Sequence, residues 1–468
     1  MNEKQEQGNY RLARLIKRFE AMSHYLDKMN FTAEELMQLA QYYEQECLLV
    51  RTEEILDLAI TTFPYNVNFL LYRAQILIRS EQEEMAMATL ETAENLAPKN
   101  LKVQLLRVEA LSQLELYDDA LTILEGLKDT ASQLEVSDIY LYEANVYHKM
   151  GLHERQFYML KASLQENPKN EAALKSFWMA VEFSKKHKES IKFHRSLIDM
   201  EPYSAVAWFN LGQSLTYFCE YEEAIEAYEF AYTIKQKFEG AYFECGELCF
   251  MTGDYKKALE CYEELLKNTQ PTSDLFLSVG KCYQKLGNYA VAKTFFEKSL
   301  HYDAMNDEAL FHIGECLSKE GSWKKAISNY FYAVKLQDAN EEYYAALGEA
   351  YFQLGDFEKA ESFFAEAADI APETSEYWIQ YATFLMEVGK AEKGLEILEE
   401  ATYYAVGAEL TYCKSACLFT MKQRNIALQV LGEALEEDYD MHEAIFTLIP
   451  ELETDREVRA IISAFQPY

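Results

Sequence analysis

The chain has 468 residues, 49% of them hydrophobic, and a formal net charge of −34 at pH 7. That charge excludes generic nucleic-acid binding, since neutralising phosphates takes a basic surface. No apolar run reaches the ~18–20 residues that span a bilayer, and the polar stretch from Met1 to Gly8 lacks a secretory signal pattern, so no membrane insertion and a cytoplasmic location are expected.

In chain order, residues 10–29 predict one amphipathic helix, a cap within 1–32, with Leu12, Leu15, Ile16, Phe19 and Met22 on one face. From Ala33 a 34-residue step takes over, with unit starts at Ala33, Val67 and Leu101. A two-residue slip within Asp129–Val136 precedes starts at Ser137, Glu171 and Ala205. The step then runs on through Glu239, Ser273, Asp307, Glu341, Ser375 and Glu409. Twelve units result: a looser array over 33–204 and a more regular one over 205–442, clean to about residue 408. Residues 443–468 are expected to cap the far end. Helices are predicted at Met441–Ile449 and Thr454–Phe465, divided by Pro450, with a Thr454/Glu457 capping box opening the second.

A fixed period of this size marks a solenoid. Within 239–272, Tyr242, Cys245, Gly246 and Cys249 fall at helical spacing, Gly253-Asp254-Tyr255 signals a turn, and Ala258, Cys261, Tyr262 and Leu265 form a second helical face. Each unit is therefore a helical hairpin whose apolar side stays bare until the next unit stacks on it. Gly212, Gly246, Gly280, Gly314 and Gly348 share one step. Each costs about 1 kcal/mol in a helix against alanine, so the two helices must approach closely there. Pro64, Pro98, Pro168, Pro202 and Pro372 share another step, where a helix has to end.

The nine cysteines are odd in number and most sit at or beside apolar helical positions, as buried free thiols do. Cys245/Cys249 and Cys413/Cys417 lack the further Cys or His that a tetrahedral metal site needs. No phosphate loop, dinucleotide fingerprint, zinc-protease motif or nucleophile elbow occurs. No catalytic residue, cofactor or metal is expected.

The unit 205–238 supplies Trp208, Leu211, Gly212, Leu215, Ala224, Tyr228 and Ala231, and 341–374 supplies Tyr344, Leu347, Gly348, Tyr351, Ala360, Phe364, Ala367 and Pro372. In these residues the chain resembles the tetratricopeptide repeat family. Val108, Gln156 and Trp178 depart from the pattern where small residues belong, and Leu428 stands where alanine is expected, with Ala427 one residue early. The resemblance implies an all-α, right-handed superhelix of stacked hairpins. It also implies that the second, fifth, sixth, ninth, twelfth and thirteenth steps of each first helix face a concave groove. On this chain those steps give Tyr72 and Gln75, Tyr142 and Asn145, then Phe209, Asn210, Gln213 and Tyr217. The following units give Phe243, Glu244, Glu247 and Phe250, then Lys281, then Phe311, His312 and Glu315. Each aromatic among them either touches a ligand or packs between neighbouring helices. The chaperone-tail clamp of some family members is incomplete, because Leu141, Ser176 and Val206 stand where its other polar groups belong.

The expected function is a non-catalytic scaffold holding a peptide or protein segment in the groove, centred on 205–340. Two other readings stay open: a carrier or sensor of a small ligand, and a homo-oligomer joined through its end helices.

Overall fold

The computed structural model describes residues 3–22, 31–129 and 131–466, and it is all-helical there. Twelve helical hairpins follow the helix α1 (Glu3–Met22). The first six pair α2 (Ala33–Gln45) with α3 (Leu49–Thr62), α4 (Val67–Arg79) with α5 (Glu83–Leu96), and α6 (Leu101–Gln113) with α7 (Tyr117–Lys128). They continue with α8 (Gln133–Lys149) and α9 (His153–Glu166), α10 (Glu171–Ser184) and α11 (His187–Met200), then α12 (Ala205–Tyr217) and α13 (Tyr221–Ile234). The next three are α14 (Glu239–Met251) with α15 (Tyr255–Asn268), α16 (Ser273–Lys285) with α17 (Tyr289–Tyr302), and α18 (Asp307–Lys319) with α19 (Trp323–Leu336). The last three are α20 (Glu341–Gln353) with α21 (Phe357–Ile370), α22 (Ser375–Glu387) with α23 (Ala391–Ala401), and α24 (Ala408–Thr420) with α25 (Arg424–Glu437). The chain packs as two units, residues 1–241 and 242–468.

Local chemistry sets the hairpin boundaries. Pro64, Pro98, Pro168, Pro202 and Pro372 lie just past the ends of second helices, and the residue two places on precedes the next first helix. Four of those following residues, Asn66, Asn100, Asn170 and Ser204, cap it by accepting a backbone N–H. The turn inside each hairpin needs one left-handed residue. Glycine supplies it at 151, 253, 287, 321, 355 and 389, with φ between 71° and 85°. Cys47, Glu81, Glu115, Lys185, Cys219 and Lys422 take the equivalent place at φ 57–63°.

In the first unit, α1 buries Leu15 and Phe19 against Phe31, Leu36 and Tyr43 of the first hairpin. The helix expected over 10–29 ends at Met22, and the Met22 side chain and residues 23–30 lie outside the described residues. The start expected at Ser137 falls inside α8, which begins a turn earlier, at Gln133. The cause is Ser132, whose N–H donates to Glu135 Oε2 at 2.8 Å and opens the helix ahead of the repeat phase.

In the second unit, the glycine step is where the helices of a hairpin meet. A Cβ on Gly246, Gly280, Gly314 or Gly348 would lie 2.8, 2.4, 2.4 or 2.9 Å from Tyr262, Phe296, Tyr330 or Phe364, each sixteen residues on. The last hairpin runs one residue early: α24 starts at Ala408, and Ala427 rather than Leu428 is fully buried. Beyond it lie 3-10 turns at Tyr439–Met441 and Pro450–Thr454, with α26 (Ala444–Leu448) and α27 (Arg456–Phe465). The capping box expected of Thr454 does not form. Asp455 caps α27 instead, accepting from the N–H of Glu457 and Val458, while Arg424 grips its carboxylate at 2.7 and 2.8 Å.

Candidate functional site

In the second unit α16, α18, α20 and α22 pack side by side in chain order, and their shared steps line two adjoining cavities. The first, about 680 Å³, is walled by Lys281, Gln284 and Lys285 of α16 and by Phe311, His312, Glu315 and Lys319 of α18. Phe250 of α14, Asp307 and Glu308 of α18, and Glu342 and Tyr343 of α20 also line it.

His312 holds its polar groups together. Nδ1 lies 2.7 Å from Glu315 Oε2, Nε2 lies 3.7 Å from Glu308 Oε1, and the ring stacks on Phe296 at 5.2 Å. Glu315 also accepts from Gln284 Nε2 at 2.9 Å, and Lys281 pairs with Glu308. Burial, the largest influence, disfavours the imidazolium, yet the bonds to Glu308 and Glu315 together raise the His312 pKa. The bond from His312 leads in holding the Glu308 carboxyl at about 2; burial opposes it and Lys281 assists. Burial also opposes ionisation of Glu315, and His312 and Gln284 overcome it. His312 thus lies between two carboxylates that both favour its protonated form. Tyr343 donates to Asp307 Oδ2 at 2.7 Å on the same wall.

The second cavity, about 490 Å³, shares Phe311 and Glu342 with the first and extends over α20 and α22. Phe352, Phe364, Tyr377, Ile379 and Phe384 supply apolar surface, and Glu342, Glu349, Glu376 and Glu387 supply carboxylates. These four glutamates occupy the second, ninth and thirteenth steps of their helices. The groove steps expected from the sequence end at α18, and the same steps two units further on are these four residues. Among the described residues no group of three His, Cys, Asp or Glu could hold a metal ion.

Residues 251–333 match the family model described as anaphase-promoting complex, cyclosome, subunit 3, and residues 341–384 match a tetratricopeptide-repeat family model. The chain is a tetratricopeptide-repeat protein. A comparison with curated proteins gives no match. Among solved structures, the tetratricopeptide protein YrrB, described as having an unusual peptide-binding site, is 23% identical over 39% of this chain and 95% of its own, at a TM-score of 0.34. The Cut9–Hcn1 hetero-tetramer of the anaphase-promoting complex gives 15% identity over 93% of this chain and 94% of its own, at 0.38. TTC0263 of Thermus thermophilus gives 20% identity over 39% of this chain and 100% of its own, at 0.33.

The other groove positions of this tetratricopeptide-repeat protein differ in what they can reach. In the first unit Tyr72 donates to Glu44, which also pairs with Arg79; burial, then that bond, raises the phenol's pKa. Gln75 and Asn145 are exposed. Tyr142 is half-buried, its phenol pushed up to about 12 by burial and then by Glu109 and Asp138. Phe209 packs on Tyr228 and Phe238, with ring centroids 5.6 and 4.9 Å away. Asn210 does not face a groove: it is 2% exposed and donates Nδ2 to the Leu174 carbonyl at 2.9 Å, tying α12 to α10. Gln213 is half-buried, and its Oε1 has no protein partner. Tyr217 lies flat on His187, 3.6 Å away and 6° from parallel.

In the second unit Phe243 is 46% exposed and lines neither cavity. Glu244 has its pKa raised by burial and then by Glu247, which accepts from Tyr262 Oη at 2.6 Å. Phe250 packs on Tyr255 at 5.3 Å and faces the first cavity. Phe311 is only 8% exposed, wedged between Tyr330 and Tyr343, so packing is its main role even though it floors both cavities. The structure thus gathers Phe250, Lys281, Phe311, His312 and Glu315 around one cavity and leaves Phe243, Glu244 and Glu247 outside it.

Proposed function

We propose that this protein is a non-catalytic interaction scaffold that holds a protein segment against the first helices of the repeats spanning 273–387. The observation that carries the reading is the pair of adjoining cavities, which share Phe311 and Glu342 and combine aromatic floor with hydrogen-bonding walls. Segment recognition needs apolar anchor points and polar groups that fix register. First helices spaced about 8–10 Å apart give a run long enough for an extended segment, which exceeds what a metabolite requires. The match of 251–333 to a family named for a subunit of a multi-protein complex also supports a protein partner. His312 fits a binding role: both ring nitrogens face carboxylates of its own helix, which leaves neither turned toward a substrate.

The test is selection of random peptides of about twelve residues against the full chain, followed by photo-crosslinking of the enriched peptides. Crosslinks on α16, α18, α20 and α22 are expected. A selection that enriches nothing, or crosslinks confined to second helices or the end helices, would reject the scaffold reading.

A further inference from the structure

The two cavities lie on one face but differ in charge. The wall of the larger one mixes Lys281, Lys285 and Lys319 with its carboxylates, so its formal charges nearly offset. The smaller one carries Glu342, Glu349, Glu376 and Glu387 and no lysine or arginine. The acidity is therefore local to α20 and α22, and the chain's overall charge does not account for it. All four carboxylates are exposed, and the side-chain bonds made by two of them are to neutral amides: Glu349 accepts from Gln353 at 2.8 Å and Glu376 from Gln380 at 3.1 Å. Among the described residues no lysine or arginine pairs with them, and only Glu342, at the edge shared with the larger cavity, feels the charge of His312. They ring an apolar floor of Phe352, Phe364, Tyr377 and Phe384, which is mostly buried beneath them.

We infer that the α20–α22 groove takes a basic protein segment, one in which lysine or arginine alternates with apolar anchors. The anchors rest on the aromatic floor while the cations reach the four rim carboxylates. An acidic segment is excluded, since it would bring like charges together within a Debye length, about 8 Å at physiological salt. This assignment rests on the scaffold reading above and goes further by fixing the chemistry of the occupant.

The experiment uses the full chain and two labelled peptides of about nine residues, long enough to cross two first helices at ~3.3 Å per residue. One alternates leucine with lysine; the other has glutamate in place of each lysine. Fluorescence anisotropy is read for the native chain and for Glu349→Lys/Glu376→Lys, whose exposed positions leave the fold intact by circular dichroism. The lysine peptide is expected to bind the native chain about tenfold or more tightly than the glutamate peptide. The double reversal should remove that preference and admit the glutamate peptide, and added salt should weaken the native complex. Equal binding of the two peptides, or lysine-peptide binding that ignores the double reversal, overturns the inference. So does light scattering that shows a dimer lost in the variant, because a second copy would then be the occupant. If randomly selected peptides crosslink to first helices yet the lysine peptide fails to bind, the scaffold reading stands and the charge assignment alone falls.

Discussion

Gly314→Ala should destabilise its hairpin even though alanine is the better helix former. The new methyl would sit 2.4 Å from the Tyr330 ring, more than 1 Å inside an ordinary carbon contact of about 3.5 Å. The ring cannot swing aside: it is 3% exposed, lies against Phe311 at 5.7 Å, and its hydroxyl meets Ser318 Oγ at 2.9 Å. Helix propensity favours alanine by about 1 kcal/mol, while overpacking a tight core costs about 1–3 kcal/mol or more. A clash this deep belongs at the upper end, which leaves a net loss of about 1–2 kcal/mol. Gly126→Ala is the control, because nothing lies within 4 Å of its Cβ position and only the propensity gain remains. Long repeat arrays do not unfold in one step, so the assay is amide hydrogen exchange in α18 and α19, supported by urea unfolding. Faster exchange in α18 and α19 of Gly314→Ala, and unchanged or slower exchange in α7 of Gly126→Ala, are expected. A Gly314→Ala protein as stable as the native one would refute the argument that close helix approach dictates the glycine step.

Other outcomes follow from particular residues. Lys185→Gly and Cys219→Gly, at φ 57° and 59°, should each raise thermal stability by about 0.5–1 kcal/mol by relieving a left-handed side chain. Phe311→Ala should cost about 3–5 kcal/mol, measured by urea unfolding; Phe243→Ala, at an exposed ring, should leave stability almost unchanged. Asn210→Ala should lose about 1 kcal/mol, because it removes the bond that ties α12 to the Leu174 carbonyl of α10, while that carbonyl keeps its helical N–H donor. Protection of α18 should also depend on pH. His312 is raised above 6.5, so its contribution is complete below that value and is lost as pH rises through the folded pKa. Glu308 is held at about 2, so its contribution is complete above 4.5 and is lost as pH falls towards 2. Maximal protection therefore falls between these limits, and His312→Gln should remove the alkaline loss.

The repeat step was legible because glycine, alanine and proline each have one physical job at one place in the hairpin. Ten of the twelve first helices begin at the residue marked by the 34-residue period. The two that do not, α8 and α24, were shifted by local chemistry that the period does not carry: the Ser132/Glu135 bond and a one-residue advance of the last hairpin. Groove steps were legible as positions but not as roles. Nothing in the sequence distinguishes Asn210, turned inward to a carbonyl, from Asn145, exposed at an equivalent kind of step. Pairing is likewise a property of three dimensions, since the His312 bonds depend on the rotamers of Glu308 and Glu315. The acidic groove was within reach of the sequence, because its glutamates continue the same steps into the last regular units.

Hydrogen exchange of the full chain with and without a selected peptide decides where the segment lies. Slower exchange is expected in α16, α18, α20 and α22, with the second helices α17, α19, α21 and α23 unchanged. Protection confined to the second helices, or to α1 and α27, would contradict that placement.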